Sequence, residues 1–86
     1  MEILNKEEGV FEFKLPGEDI GFANMIVEKL LQDKAVTFAS ASYDHPLTAN
    51  PVIKIKGKEP KKSLEKALDA VKKELKQLED AIKSAR

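Results

Sequence analysis

Residues 60–86 read PKKSLEKALDAVKKELKQLEDAIKSAR, and their pattern decides how the rest of the chain must be arranged. Leu64, Leu68, Val71, Leu75, Leu78 and Ile82 follow one another at intervals of 4, 3, 4, 3 and 4 residues, and Ala85 extends the series. A repeat of about 3.5 residues is the spacing of a helix packed lengthwise along another helix. Pro60 stands where a first-turn proline is tolerated, and every residue after it is a reasonable helix former. Asp69 with Lys73, and Glu79 with Lys83, add i,i+4 charge pairs on the solvent side.

Length makes this seam informative. A helix over 60–86 is roughly 40 Å long at 1.5 Å per residue, whereas strands of five or six residues span about 17–20 Å. The chain's own sheet therefore covers about half the seam. Each buried Leu, Val or Ile is worth roughly 1.5–3 kcal/mol, so leaving Leu75, Leu78 and Ile82 uncovered forgoes about 5–9 kcal/mol, comparable to the whole stability of a small domain. The seam either folds back on the first helix and the sheet or meets a second polypeptide. The second reading accounts better for its length.

Upstream, VFEFKL (10–15) alternates Phe11, Phe13 and Leu15 against Glu12 and Lys14, a half-buried strand that places Phe11 and Phe13 in a core. EILN (2–5) precedes it, with Glu8-Gly9 as the hairpin turn. Pro16-Gly17 ends the strand, and Asp19 is a natural N-cap for a helix over roughly 20–32. That helix carries two apolar stripes, one of Phe22, Met25, Ile26 and Leu30 and one of Ala23, Val27 and Leu31. The arc is wider than one sheet face requires, so the helix is expected to touch two things. AVTFASASY (35–43) and VIKIKG (52–57) read as the third and fourth strands. The order ββαββα with short connections predicts an α+β fold: a four-stranded antiparallel sheet, two helices on one face, and a long C-terminal helix.

The 86 residues predict a single domain spanning 1–86. Cysteine is absent, which excludes disulfides and thiolate zinc sites, and no acidic cluster has the spacing of a calcium loop. No metal or other cofactor is expected. MEILNKEEG does not have the build of a secretory signal and no apolar run approaches a bilayer span, so the expected location is cytoplasmic, away from membranes. Fifteen acids balance fifteen bases, but unevenly: residues 1–33 carry −5 and residues 34–62 carry +4.

The only histidine lies in YDHPLTANP (43–51), near Ser40, Ser42 and Asp44. These are the residue types of a catalytic triad, but neighbours on a strand point to opposite faces, and no second segment supplies a base. Residues before proline are pushed toward extended conformations, so His45-Pro46 and Asn50-Pro51 stiffen both ends of a shaped loop. The lysines of KIKGKEPKK (54–62), Lys54, Lys56, Lys58, Lys61 and Lys62, could track a phosphate backbone. A small nucleic-acid-binding domain using this segment is the alternative function. No aromatic residue interleaves with these lysines to stack a base, and lysines alternating along a strand also discourage edge pairing. Direct nucleic-acid binding is therefore not the expected role.

Three segments in this order, GEDIGFANMIVEKL (17–30), DHPLTANP (44–51) and KGKEPKKSLEKAL (56–68), resemble the subunit L family of archaeal DNA-directed RNA polymerase, related to the eleventh subunit of eukaryotic RNA polymerase II and to the dimerisation domain of the bacterial α chain. The family's first-helix motif is matched at Gly17, Glu18, Asp19 and Asn24, with departures at Ile20, Gly21, Phe22 and Ala23, and its loop at His45, Pro46 and Leu47. The resemblance implies a non-catalytic subunit of a nucleotidyltransferase complex that works in transcription. It pairs through its helices with the larger D subunit of the polymerase, and the heterodimer is the assembly platform for the large catalytic subunits. It implies dimer-interface positions at Phe22, Met25, Ile26, Leu30, Leu68, Val71, Leu75, Leu78 and Ile82. Gly17, Glu18 and Asp19, with His45, Pro46 and Leu47, are either contacts to other subunits or local turn structure.

Overall fold

The computed structural model describes residues 2–43 and 50–85. It contains β1 (Glu2–Asn5), β2 (Val10–Lys14), α1 (Ile20–Leu31), β3 (Val36–Tyr43), β4 (Pro51–Gly57) and α2 (Pro60–Ser84), in the expected order ββαββα. The strands form one antiparallel sheet in the order β1-β2-β4-β3, with both helices on one face.

Register explains the core. Phe11 pairs with Ile55 and Phe13 with Ile53, while Ala39 and Ala41 flank the same two isoleucines from the other side. Directly paired residues share a face, so these six side chains form one apolar floor. α1 lays Ala23, Ile26, Val27 and Leu30 on it, and α2 adds Leu64 and Ala67. The alanines let both helices approach closely, and the two phenylalanine rings meet at 5.2 Å between centroids. The opposite face carries Glu12, Lys14, Lys54 and Lys56 together with Phe38, Ser40 and Ser42.

Local chemistry sets the element ends. Gly9 takes φ +78° in the β1–β2 turn, a conformation that costs glycine little, and its carbonyl accepts from the Gly57 amide at 3.0 Å. The Asp19 side chain accepts from the Gly21 amide at the start of α1, as an N-cap should. Pro60 occupies the first turn of α2.

Two expectations need correction. The lysine-bearing strand β4 is central, between β2 and β3, so Lys54 and Lys56 guard no edge. β2 and β4 become neighbours only after the chain crosses through α1 and β3, a non-local pairing that alternation along one strand does not reveal. The apolar arc of α1 is also divided differently: Ala23, Ile26, Val27 and Leu30 form the buried stripe, with Phe22 and Met25 on one flank and Leu31 on the other.

Candidate dimerisation face

α2 spans 25 residues and leads two different lives along its length. In its first half Ser63, Leu64, Ala67 and Val71 are buried. From Lys72 to Ala85 every residue is exposed. The heptad positions there keep most of their surface in water: Leu75 is 51% exposed, Leu78 57% and Ile82 54%. The rod outruns its sheet because strands of four to eight residues are too short to support it.

Two polar links fix the position of α1 against α2. Lys29 pairs with Glu74. Asp33, just past α1, accepts from the Ala35 amide at 2.8 Å, and its carboxyl is held below its ordinary value of 3.8. The Ala35 amide is the largest cause, followed by the Ser63 hydroxyl, with the Lys66 ammonium adding to it against the effect of burial. Asp33 Oδ2 is buried with no partner in normal hydrogen-bond geometry. The end of α1 thus lies by the beginning of α2, and the helices run in opposite senses. Met25 lies one turn before Lys29 on α1, and Leu78 one turn beyond Glu74 on α2; both are exposed.

The nine candidate interface positions divide accordingly. Met25, Leu75, Leu78 and Ile82 are exposed. Phe22 and Leu68 are half-buried against the core. Ile26, Leu30 and Val71 are 2%, 0% and 3% exposed, spent on the chain's own interior, and in this conformation they support the face from beneath. Lys29 and Glu74 were not foreseen, since no local spacing ties two residues 45 apart. Of the helix-stabilising pairs, Glu79–Lys83 forms at 3.0 Å, whereas Asp69 and Lys73 are not paired.

Gly17, Glu18 and Asp19 form an exposed turn. Gly17 has φ +77°, its amide donates to Asn50 Oδ1 at 3.3 Å, and the Glu18 amide donates to the Leu15 carbonyl at 3.2 Å. Asp44, His45, Pro46 and Leu47 lie outside the described residues. In the basic segment, Lys62 pairs with Glu59 at 3.3 Å, and Lys61 sits 5.6 Å from the Phe11 ring centroid. Lys61 helps wall a cavity of about 280 Å³ with Lys6, Val10, Phe11 and Pro60. Lys56 does have an aromatic neighbour, supplied from β3 rather than from its own segment: its ammonium lies 5.3 Å from the Phe38 ring centroid. Among the described residues no cluster of His, Cys, Asp or Glu could hold a metal ion, and no helix is long and apolar enough to cross a membrane.

Comparison with known proteins bears on this face. The profile of the RNA polymerase Rpb3/Rpb11 dimerisation domain matches residues 11–81. DNA-directed RNA polymerase subunit Rpo11 of Thermococcus kodakarensis is 37% identical over 90 residues, covering 99% of this chain and 96% of that protein. The Rpo11 of Methanothermobacter thermautotrophicus is 31% identical over 72 residues, covering 84% and 85%. The crystal structure of subunit L of DNA-directed RNA polymerase from Thermoplasma acidophilum shares the fold, with a TM-score of 0.84 over 96% of this chain and 84% of that one, at 22% identity. With the profile spanning most of the chain and a relative aligned almost end to end, the chain belongs to the RNA polymerase Rpb3/Rpb11 dimerisation domain family.

Proposed function

We propose that this chain is a non-catalytic subunit of DNA-directed RNA polymerase that pairs through α2 and the adjoining flank of α1 with the larger D subunit. The resulting heterodimer is the platform on which the large catalytic subunits assemble in the cytoplasm. The whole chain acts as one dimerisation unit and contributes no catalytic group. The observation that carries this reading is the apolar strip Leu75, Leu78 and Ile82, each more than half exposed on a helix whose first half is anchored in the core. The profile match to a dimerisation domain and the names of the Rpo11 relatives support it.

Each strip residue retains a little over half its surface, so covering the three contributes about half of 1.5–3 kcal/mol apiece, roughly 2.5–5 kcal/mol together. That is a substantial part of a pairing energy, to which the rest of the interface must add because association itself costs at least about 4 kcal/mol. Met25 adds an adaptable contact beside them. The nucleic-acid alternative is less well supported, because within the basic segment Lys54 is opposed across the sheet by Glu12, and Lys62 is paired with Glu59 at 3.3 Å.

Co-expression with the D subunit followed by size-exclusion chromatography tests the proposal. A one-to-one complex that Leu78→Asp abolishes is the expected result. Separate elution of the two chains would overturn it.

A further inference from the structure

The two edges of the sheet are built very differently. β1 has four residues, an irregular register between Ile3 and Asn5, and a Glu2–Lys14 ion pair across to its neighbour. Short length, irregularity and charge are the devices by which proteins keep an edge from pairing. β3 has eight residues, VTFASASY, with no charge, proline or glycine. Its one irregularity lies between Val36 and Phe38, which leaves Phe38 to Tyr43 in regular register. Alternate residues of an edge strand direct their N–H and C=O groups away from the sheet.

Both sides of this edge carry groups suited to a further strand. On the helix side, α1 lies mainly over β3, and Leu31 sits on the flank of α1 opposite α2, 60% exposed. On the other side, Lys56 faces Val10 rather than a carboxylate in β2 and leans over Phe38 toward the edge. We propose that β3 is a docking edge for an extended segment of another polypeptide, added as a fifth strand with apolar side chains toward Leu31 and an acidic side chain toward Lys56. Main-chain hydrogen bonds supply the affinity, and the alternating side chains the selectivity. A second copy of this chain is the poorer occupant, since its β3 carries no carboxylate and it would bring a second Lys56 to the same side. The edge is distinct from the α2 strip, and the inference does not depend on the pairing with the D subunit.

The test uses the full chain and a fluorescent, end-blocked octapeptide of alternating valine and glutamate. A version N-methylated at alternate residues and a valine–lysine version serve as controls. Amide exchange followed residue by residue should slow at least tenfold at alternate positions of β3 on adding the glutamate peptide. N-methylation should weaken binding at least tenfold, Leu31→Glu should do the same, and Lys56→Glu should reverse the preference between the glutamate and lysine peptides. Leu31 and Lys56 are both exposed, so these variants should retain the wild-type circular dichroism. Equal binding of the N-methylated peptide, or protection confined to α2, would overturn the proposal. So would concentration-dependent protection of β3 without peptide, which would make the occupant a second copy.

Discussion

Truncating Leu78 to alanine separates the two halves of α2 by experiment. The substitution removes three carbons, worth about 0.8 kcal/mol each when fully buried. Leu78 is 57% exposed in the isolated chain, so the part a partner can still cover amounts to about 1.4 kcal/mol, a tenfold rise in Kd. The same change should barely alter the isolated chain, because an exposed helix position tolerates alanine within about 0.5 kcal/mol. Leu30→Ala is the control: Leu30 is 0% exposed, and a fully buried leucine truncated to alanine costs about 2–5 kcal/mol of stability. Calorimetric titration against the D subunit, beside thermal melts of each variant alone, gives both quantities. If Leu78→Ala destabilised the isolated chain as much as Leu30→Ala, the tail of α2 would be part of the chain's own core. If its Kd stayed within twofold of wild type, the strip would not be the pairing surface. Either result refutes the reasoning.

Other outcomes follow from single contacts. Lys58→Ala should leave pairing with the D subunit unchanged by the same titration, since Lys58 lies in the exposed segment before α2 and away from the strip. The Asp33 carboxyl is held below 3.8 chiefly by the Ala35 amide, so its stabilising effect is complete above that pH and is lost as pH falls through the lower folded value. Asp33→Asn should therefore flatten the loss of melting temperature as pH drops through and below about 4. Gly57→Ala would drive its new methyl into the Ala35 carbonyl oxygen; overpacking of this kind costs about 1–3 kcal/mol, a fall of roughly 5–20 °C in Tm.

The elements were legible because two periods dominate the chain. Alternation marked Phe11–Phe13 and Ile53–Ile55, and the 3.5-residue repeat marked α2, so the ends came within one or two residues of those observed. Strand order was not legible. Lys54 and Lys56 look like edge guards in a linear reading, yet β4 is central because its partners β2 and β3 come from either side of α1. The role of each residue on α1 was only partly legible for a related reason. A helical stripe gives the apolar side, but which residues lie closest to the sheet depends on where the second helix sits. Ala23 at 0% exposure, in a stripe with bulkier neighbours, marks that closest approach. The Lys29–Glu74 link, which sets the helices against each other, has no local signature at all.

A surface kept for a partner must also hold its shape before the partner arrives, and beyond Val71 α2 does so with little tertiary support besides the Lys29–Glu74 pair. The exposed segment from Lys72 to Ala85 is about 21 Å of helix, shorter than most peptides that stay helical in water. The anchored turns at Leu64, Ala67 and Val71 remove the cost of nucleation, and the Lys76–Asp80 and Glu79–Lys83 pairs, at 3.3 and 3.0 Å, add a few tenths of a kcal/mol each. The strip is thus preorganised, and little of the association energy is lost to ordering it. Gln77 tests this cleanly, because it is exposed on the side of the helix away from the heptad seam. Gln77→Gly costs about 1 kcal/mol of helix propensity without removing any apolar surface, so it should weaken pairing roughly fivefold and lower the helical circular dichroism of the free chain. Gln77→Ala should change neither. Loss of helicity in the glycine variant with undiminished affinity would mean that the partner folds this segment on contact, and that preorganisation contributes nothing to recognition.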